Sequence, residues 1–266
     1  MLVYLFSDAL SNQIEGRLNI MMPSMDKEYV INYYDVDNKK RALVTSIFNF
    51  LGDIAMEHEE VVCEARNFLY DRNMTWVLHK WDVNIRTYPT YREKVTIRTK
   101  ANFIKRFYAH RTYEMIGESG RVIATGESIW FIIDMESRRP CRIPQELYEL
   151  YGIDIKNKDA IENNKIASPV TVEYEKAFLV RYSDIDSNNH VNNVKYIGWA
   201  IESTPEDIVD NYAVNDVKVI YEKEIAYGEK LKVLTHIEDL DNKKLCTYRM
   251  VDEEGKQLNL IRIEWV

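Results

Sequence analysis

Cysteine is scarce, long apolar runs are missing, and positive charge is not in excess. The three cysteines, Cys63, Cys141 and Cys246, are scattered over 266 residues. So few, odd in number and far apart, they build no disulfide framework and suit a reducing compartment. No apolar stretch approaches the roughly eighteen residues a transmembrane helix needs. Met1–Ser24 contains Asp8 and Glu15 and has no basic leading region, so it does not read as a secretory or transit signal. It reads as an extension outside the fold. Neither paired cysteines nor a His-Glu-x-x-His spacing occurs, so no metal and no cofactor is expected. A Gly-x-Ser-x-Gly nucleophile elbow is missing too. Its nearest approach, Gly117-Glu118-Ser119-Gly120, has the wrong spacing. A net charge of −8 argues against non-specific binding to nucleic acid or a membrane surface.

Apolar material is plentiful: 46% of the chain is hydrophobic and 12% aromatic, which excludes disorder and supplies a core. The charge is uneven. Between Lys80 and Arg111 stand nine basic residues against two acidic ones. The ordinary reading of such a run is the solvated face of strands; the sharper one is a docking patch for an acidic partner.

The chain also repeats itself. Residues 112–131, TYEMIGESGRVIATGESIWF, match residues 247–266, TYRMVDEEGKQLNLIRIEWV, at a constant offset of 135. YREKVTIRT at 91–99 resembles YGEKLKVLT at 227–235, and Tyr34–Asp37 resembles Ser183–Asp186. Three blocks in the same order indicate a duplicated unit of ordinary domain size. Each copy reads as a strand, an aspartate-rich turn, a helix and a run of strands. The helix of the first copy follows from Leu43, Val44, Ile47, Phe48, Leu51, Ile54 and Ala55, spaced i, i+3, i+4, i+7. That of the second follows from Val194, Ile197, Trp199, Ala200 and Ile201. Alternation in Lys94–Arg98 and Lys230–Leu234 predicts antiparallel strands with one face on a helix. The second copy's first late strand is expected to run through Ile225. The expected domains are 25–153 and 171–266, with 154–170, rich in Asn, Lys and Asp, as a linker.

The run RYSDIDSNNHVNNVKYIGWAIES at 181–203 closely resembles the active-site region of acyl-acyl carrier protein thioesterases. The family's Asp-x-Asn-x-His turn, its Val-Asn-Asn and its spaced Tyr and Trp stand here as Asp186, Asn188, His190, Val191–Asn193, Tyr196 and Trp199. Ile85–Thr90, Ser137–Pro140 and Arg142–Pro144 resemble the family's first half. The resemblance implies an α+β fold: two tandem hotdog domains, each a long helix wrapped by an antiparallel sheet. It further implies hydrolysis of fatty acyl thioesters on a carrier protein, with the N-terminal half selecting the acyl chain, the C-terminal half catalytic, and a cytoplasmic location. An acyl-CoA thioesterase, a hydratase acting on enoyl thioesters and an inactive carrier-binding module are the competing readings. The sequence leaves the oligomeric state open, a homodimer included.

Thioester hydrolysis needs a deprotonated water, a stabilised carbonyl oxygen and a leaving thiolate. Asp186, Asn188 and His190 alternate, so in an extended turn their side chains would share one side. They precede a helix whose N-terminal N–H groups favour negative charge. Asn188 is a donor for the carbonyl, and His190 moves protons near neutral pH. Where the family carries a Glu-Cys pair, this chain has Glu224 and Ile225, so a cysteine nucleophile is excluded there and Glu224 is expected to activate water with His190. Asp186 is expected to orient Asn188 or His190. In isolation, an Asp-Asn turn before a helix is ordinarily just an N-cap, and Glu224 beside Lys223 an exposed strand residue. The first copy has Asp37-Asn38-Lys39-Lys40-Arg41 at the turn and Tyr88 opposite Glu224, and is expected to be catalytically silent. The basic run and the Arg138, Arg139, Arg142 group are expected to face an acidic carrier protein.

Overall fold

The structure is a computed structural model describing residues 24–62, 68–154, 165–169 and 171–266. Residues 1–23 of the expected N-terminal extension and most of the expected linker lie outside the described residues.

The first half opens with β1 (Ser24–Val30), a single 3-10 turn at Tyr33–Asp35 and helix α1 (Val44–Val61). Strands β2 (Met74–Ile85), β3 (Lys94–Ile104), β4 (Tyr108–Gly117) and β5 (Val122–Asp134) follow, then a short helix α2 (Glu146–Leu150). The second half repeats this order: β6 (Tyr174–Leu179), a 3-10 turn at Tyr182–Asp184, α3 (Asn193–Glu202) with a short α4 (Glu206–Asn211), then β7 (Val214–Tyr221), β8 (Lys230–Leu240), β9 (Lys243–Asp252) and β10 (Gln257–Trp265). All ten strands form one antiparallel sheet in the order β1-β3-β4-β5-β2-β7-β10-β9-β8-β6. Each half has the same internal order, and the halves meet where β2 pairs with β7. There Asp82 stands opposite Lys218, an offset of 136, which is also the repeat offset in this part of the chain. A pseudo-twofold axis therefore passes through that pair, whose Nζ–Oδ2 distance is 2.7 Å.

Helix α1 buries Val44, Ile47, Phe48, Leu51, Ile54 and Ala55 of the stripe read from periodicity and continues it with His58, while Leu43, also read into the stripe, is the exposed N-cap. Phe48 meets Trp81 edge-on at 5.6 Å. Gly126 on β5 permits this close seating, because a Cβ there would lie 3.3 Å from Val83 and 3.4 Å from Leu51. Both helices feed one core, and α1 touches α3. Helix α3 runs ten residues against eighteen for α1, since the chain breaks at Ser203–Pro205 before α4. Hairpin turns form around Gly120 and Gly255, with φ of 76° and 81° at these glycines, values that cost a glycine little.

Two expected strands end early. β1 stops at Val30, because the next residues coil into the 3-10 turn. β7 stops at Tyr221, because the N–H groups of Glu222 and Lys223 both turn to the carbonyl of Leu258, at 3.0 and 2.9 Å. The basic stretch 80–111 does not form one face either. Strand alternation sends Arg111 into the interior, and Arg98 is paired with Asp26 at 2.8 Å. Among the described residues, no helix is long and apolar enough to cross a membrane.

Candidate active site

The turn that carries three of the expected residues is closed rather than extended. Ile185 and Val191 bridge its base. The Asp186 N–H donates to the His190 carbonyl at 2.9 Å, and the Asn189 N–H to the Asp186 carbonyl at 3.1 Å. Asn189 sits at φ 62°, a conformation asparagine tolerates better than most residues. The extended alternation expected from the sequence is thus replaced by a loop reversed at Asn189. The Asp186 carboxylate Oδ1 accepts the Asn188 backbone N–H at 2.8 Å. The Asn188 side chain stands exposed at the tip. Beneath the turn, Asp184 is fully buried and accepts from the Arg181 backbone and guanidinium. Burial pushes its carboxyl up, but the Arg181 bonds with Lys195 nearby outweigh that and hold it below the usual carboxylate range.

His190 and Glu224 do come together: His190 Nε2 lies 3.1 Å from Glu224 Oε2. Glu224 is not on a strand, as was expected, but in the segment after β7. Ile225 anchors that segment in the core at 3% exposure, which leaves Glu224 turned outward toward the His190 turn. Downstream, the Ala226 N–H is held by Glu229 at 2.6 Å and Gly228 adopts φ 81°. Tyr196 and Trp199 are buried in the core, as expected. The helix terminus offers less than the sequence suggested, because Asn192 caps α3 and already occupies the Val194 N–H at 2.9 Å.

Sequence reasoning missed the second partner of Glu224. Arg138 Nη2 bonds the same Oε2 from 86 residues away in the first half. It stands at φ 57° in a turn just past β5, whose Asp134 takes the Ser137 N–H at 2.6 Å. The sequence singled Arg138 out twice, in Ser137–Pro140 and in the arginine group expected to face a carrier protein, but neither signal gave its partner, which is Glu224. Arg138 and Glu224 are 44% and 41% exposed, so this ion pair is screened by water and worth little to folding. Its value is positional: together with His190 it fixes where the carboxylate points. Among the described residues, no cluster of metal ligands occurs.

The first half carries the same turn with other contents. Asp37 N–H meets the Arg41 carbonyl at 2.8 Å, Lys40 N–H meets the Asp37 carbonyl at 3.0 Å, and Lys40 has φ 61°. Arg41, in the place of His190, folds back onto its own Asp37 at 2.9 Å and lies 5.4 Å over the Tyr88 ring. The Tyr88 hydroxyl donates to the Val214 carbonyl at 2.7 Å.

A family model described as the acyl-ACP thioesterase N-terminal domain matches residues 23–151, and one described as the C-terminal domain matches 167–266. The chloroplastic palmitoyl-acyl carrier protein thioesterase of Cuphea hookeriana is 25% identical over 223 residues, covering 79% of this chain and 54% of that protein. The chloroplastic oleoyl-acyl carrier protein thioesterase 2 of Arabidopsis thaliana is 27% identical over 239 residues, covering 83% of this chain and 65% of that protein. The chain therefore spans roughly half to two thirds of the length of these relatives. A putative oleoyl thioesterase from Lactobacillus plantarum superposes with a TM-score of 0.82 at 22% identity, over 94% of this chain and 97% of its own. The 12:0-ACP thioesterase from Umbellularia californica does so with a TM-score of 0.81 at 20% identity, over 95% and 97%. These likenesses establish an α+β fold of two tandem hotdog units. With both of its halves matched by the paired family models, the chain belongs to the acyl-ACP thioesterase family.

Proposed function

We propose that this protein hydrolyses the thioester between a fatty acyl group and the arm of an acyl carrier protein, releasing free fatty acid and carrier. The observation that carries the reading is the 3.1 Å contact between His190 and Glu224, on a turn whose Asn188 amide stands free to meet a ligand. Glu224, with His190, takes a proton from water. The resulting hydroxide attacks the carbonyl carbon, Asn188 donates to the oxygen as it becomes negative, and the carbon–sulfur bond breaks. His190 returns the proton to the departing thiolate, so one water is consumed and one thiol is released. Arg138 and His190 hold the carboxylate in line, and Asp186 holds Asn188. With isoleucine at 225, this assignment uses no cysteine nucleophile.

We assign acyl-chain selection to the first half, where α1 and the sheet flank an apolar cavity bordered by Trp76 and Trp130. The free thiols of Cys141 and Cys246 support a cytoplasmic site of action. The decisive experiment assays acyl-carrier and acyl-CoA thioesters of graded chain length side by side, with wild type and Glu224→Gln. Hydrolysis of carrier thioesters that is lost in the variant is expected. Preference for CoA thioesters moves the substrate class to acyl-CoA, and absence of hydrolysis of either leaves only a carrier-binding role.

A further inference from the structure

One charge in the first half is out of place. Arg111 on β4 points inward and is only 8% exposed. Its Nη1 lies 2.8 Å from His58 Nδ1 and 3.2 Å from Thr99 Oγ1. A guanidinium is always protonated, so His58 accepts through Nδ1 and carries its own proton on Nε2. Among the described residues, no carboxylate pairs with Arg111. A buried cation without a counter-charge is costly to keep. The equivalent position of the second half, at the repeat offset of 135, holds the buried Cys246.

The small remaining exposure of Arg111 opens onto the cavity flanked by α1. Besides Arg111, Glu59, His110 and Tyr151, its walls are apolar, among them Met56, Ala101, Ile104, Trp76 and Trp130. Its volume is about 40 Å³, room for the last few atoms of a chain rather than for a whole one. The indole N–H of Trp76 is buried with no hydrogen-bond partner among the described residues. Trp76 and Trp130 sit on β2 and β5, the strands that end at the Arg138 turn. The cavity and Glu224 therefore belong to one end of the molecule.

We infer that this cavity receives the far end of the acyl chain, and that Arg111 selects chains bearing an oxygen acceptor there, a hydroxyl or a carboxylate. The guanidinium N–H groups beyond those held by His58 and Thr99 are satisfied by such a group and gain nothing from a methyl end, which is the kind of mismatch that discriminates strongly. The inference rests on the hydrolase reading above.

The test compares carrier thioesters of graded length carrying a methyl, a hydroxyl or a carboxyl at the terminal carbon. At the length that reaches Arg111, wild type is expected to favour a polar-ended chain over the methyl-ended one by about tenfold or more in kcat/KM. Arg111→Met is expected to erase that ratio, and Arg111→Lys to keep part of it. Equal rates for polar and apolar ends at every length in wild type overturn the inference, and so does a preference that survives Arg111→Met. The wild-type series decides even where Arg111→Met does not fold. If no thioester of any kind is hydrolysed, the hydrolase reading has failed. The site is then tested by calorimetry with dodecanoate and terminally hydroxylated dodecanoate: about tenfold tighter binding of the hydroxylated acid supports it, and equal binding overturns it.

Discussion

The two halves fold one turn twice and fill it with opposite chemistry. Around Lys40 and Asn189 the backbone bonds match to within a few tenths of an ångström. In the first half the last side chain of the turn is Arg41, which neutralises its own aspartate and rests on Tyr88. In the second half it is His190, which leaves its aspartate to the backbone and reaches a carboxylate on another segment. A shared backbone thus supplies the position, while the side chains decide whether that position holds an ion pair closed within the turn or a contact to a second segment.

The largest break of this comparison is kinetic. Glu224→Gln and His190→Ala are each expected to cost at least about 10² in kcat with folding retained, whereas Arg41→Ala and Tyr88→Phe are expected to stay within about twofold. Near-normal turnover in Glu224→Gln removes the proposed base; a large loss in Arg41→Ala ends the claim that the first turn is silent. Next comes Arg138→Ala. Losing one of two groups on Glu224 is expected to lower kcat about tenfold with little change in melting temperature, because the exposed pair adds little stability. Arg138→Lys is expected to recover part of that rate. A melting temperature that falls while kcat holds reverses the assignment.

Third is stability. Asp184→Asn is expected to cost about 1–3 kcal/mol, measured by denaturant unfolding, since a fully buried carboxylate bonded to a guanidinium loses its charge. Asp35→Asn, whose carboxylate takes the Asn32 N–H at 2.9 Å, is expected to cost less. The folded-state pKa of Asp184 lies below its unfolded value of about 3.9. Its contribution is therefore present above that pH and lost as pH falls through the folded value. The stability gap between wild type and Asp184→Asn should close on the acid side; a gap that widens there contradicts the pairing. The smallest effect is ionic. Arg139 and Arg142 are exposed and follow Arg138 closely in the chain, so the KM for a carrier substrate is expected to rise modestly with salt. A salt-insensitive KM removes electrostatic docking.

Much of this was legible because the duplication and the helical stripe are written in local periodicity. Val44 to Ala55 declared α1, and the alternation at Lys94–Arg98 and Lys230–Leu234 lies within β3 and β8. What escaped was tertiary. Arg138 meets Glu224 only because two distant segments end at the same corner of the sheet. His58 and Arg111 occupy core-facing positions of a helix and a strand, yet their residue types argue for solvent, so pattern reading passed over them. β7 looked longer because Lys223–Ile225 continues an alternation, while the competing claim of the Leu258 carbonyl on two successive N–H groups is invisible in sequence.

The seam between β2 and β7 has a practical corollary. Cutting the chain between its repeats would not liberate two self-sufficient modules: each fragment would bare a long ladder of unsatisfied amides and carbonyls, an invitation to stick to its own kind. The severed second half would also forfeit the arginine that its Glu224 borrows from its sibling. The duplication behaves as one covalent dimer whose members were never meant to part.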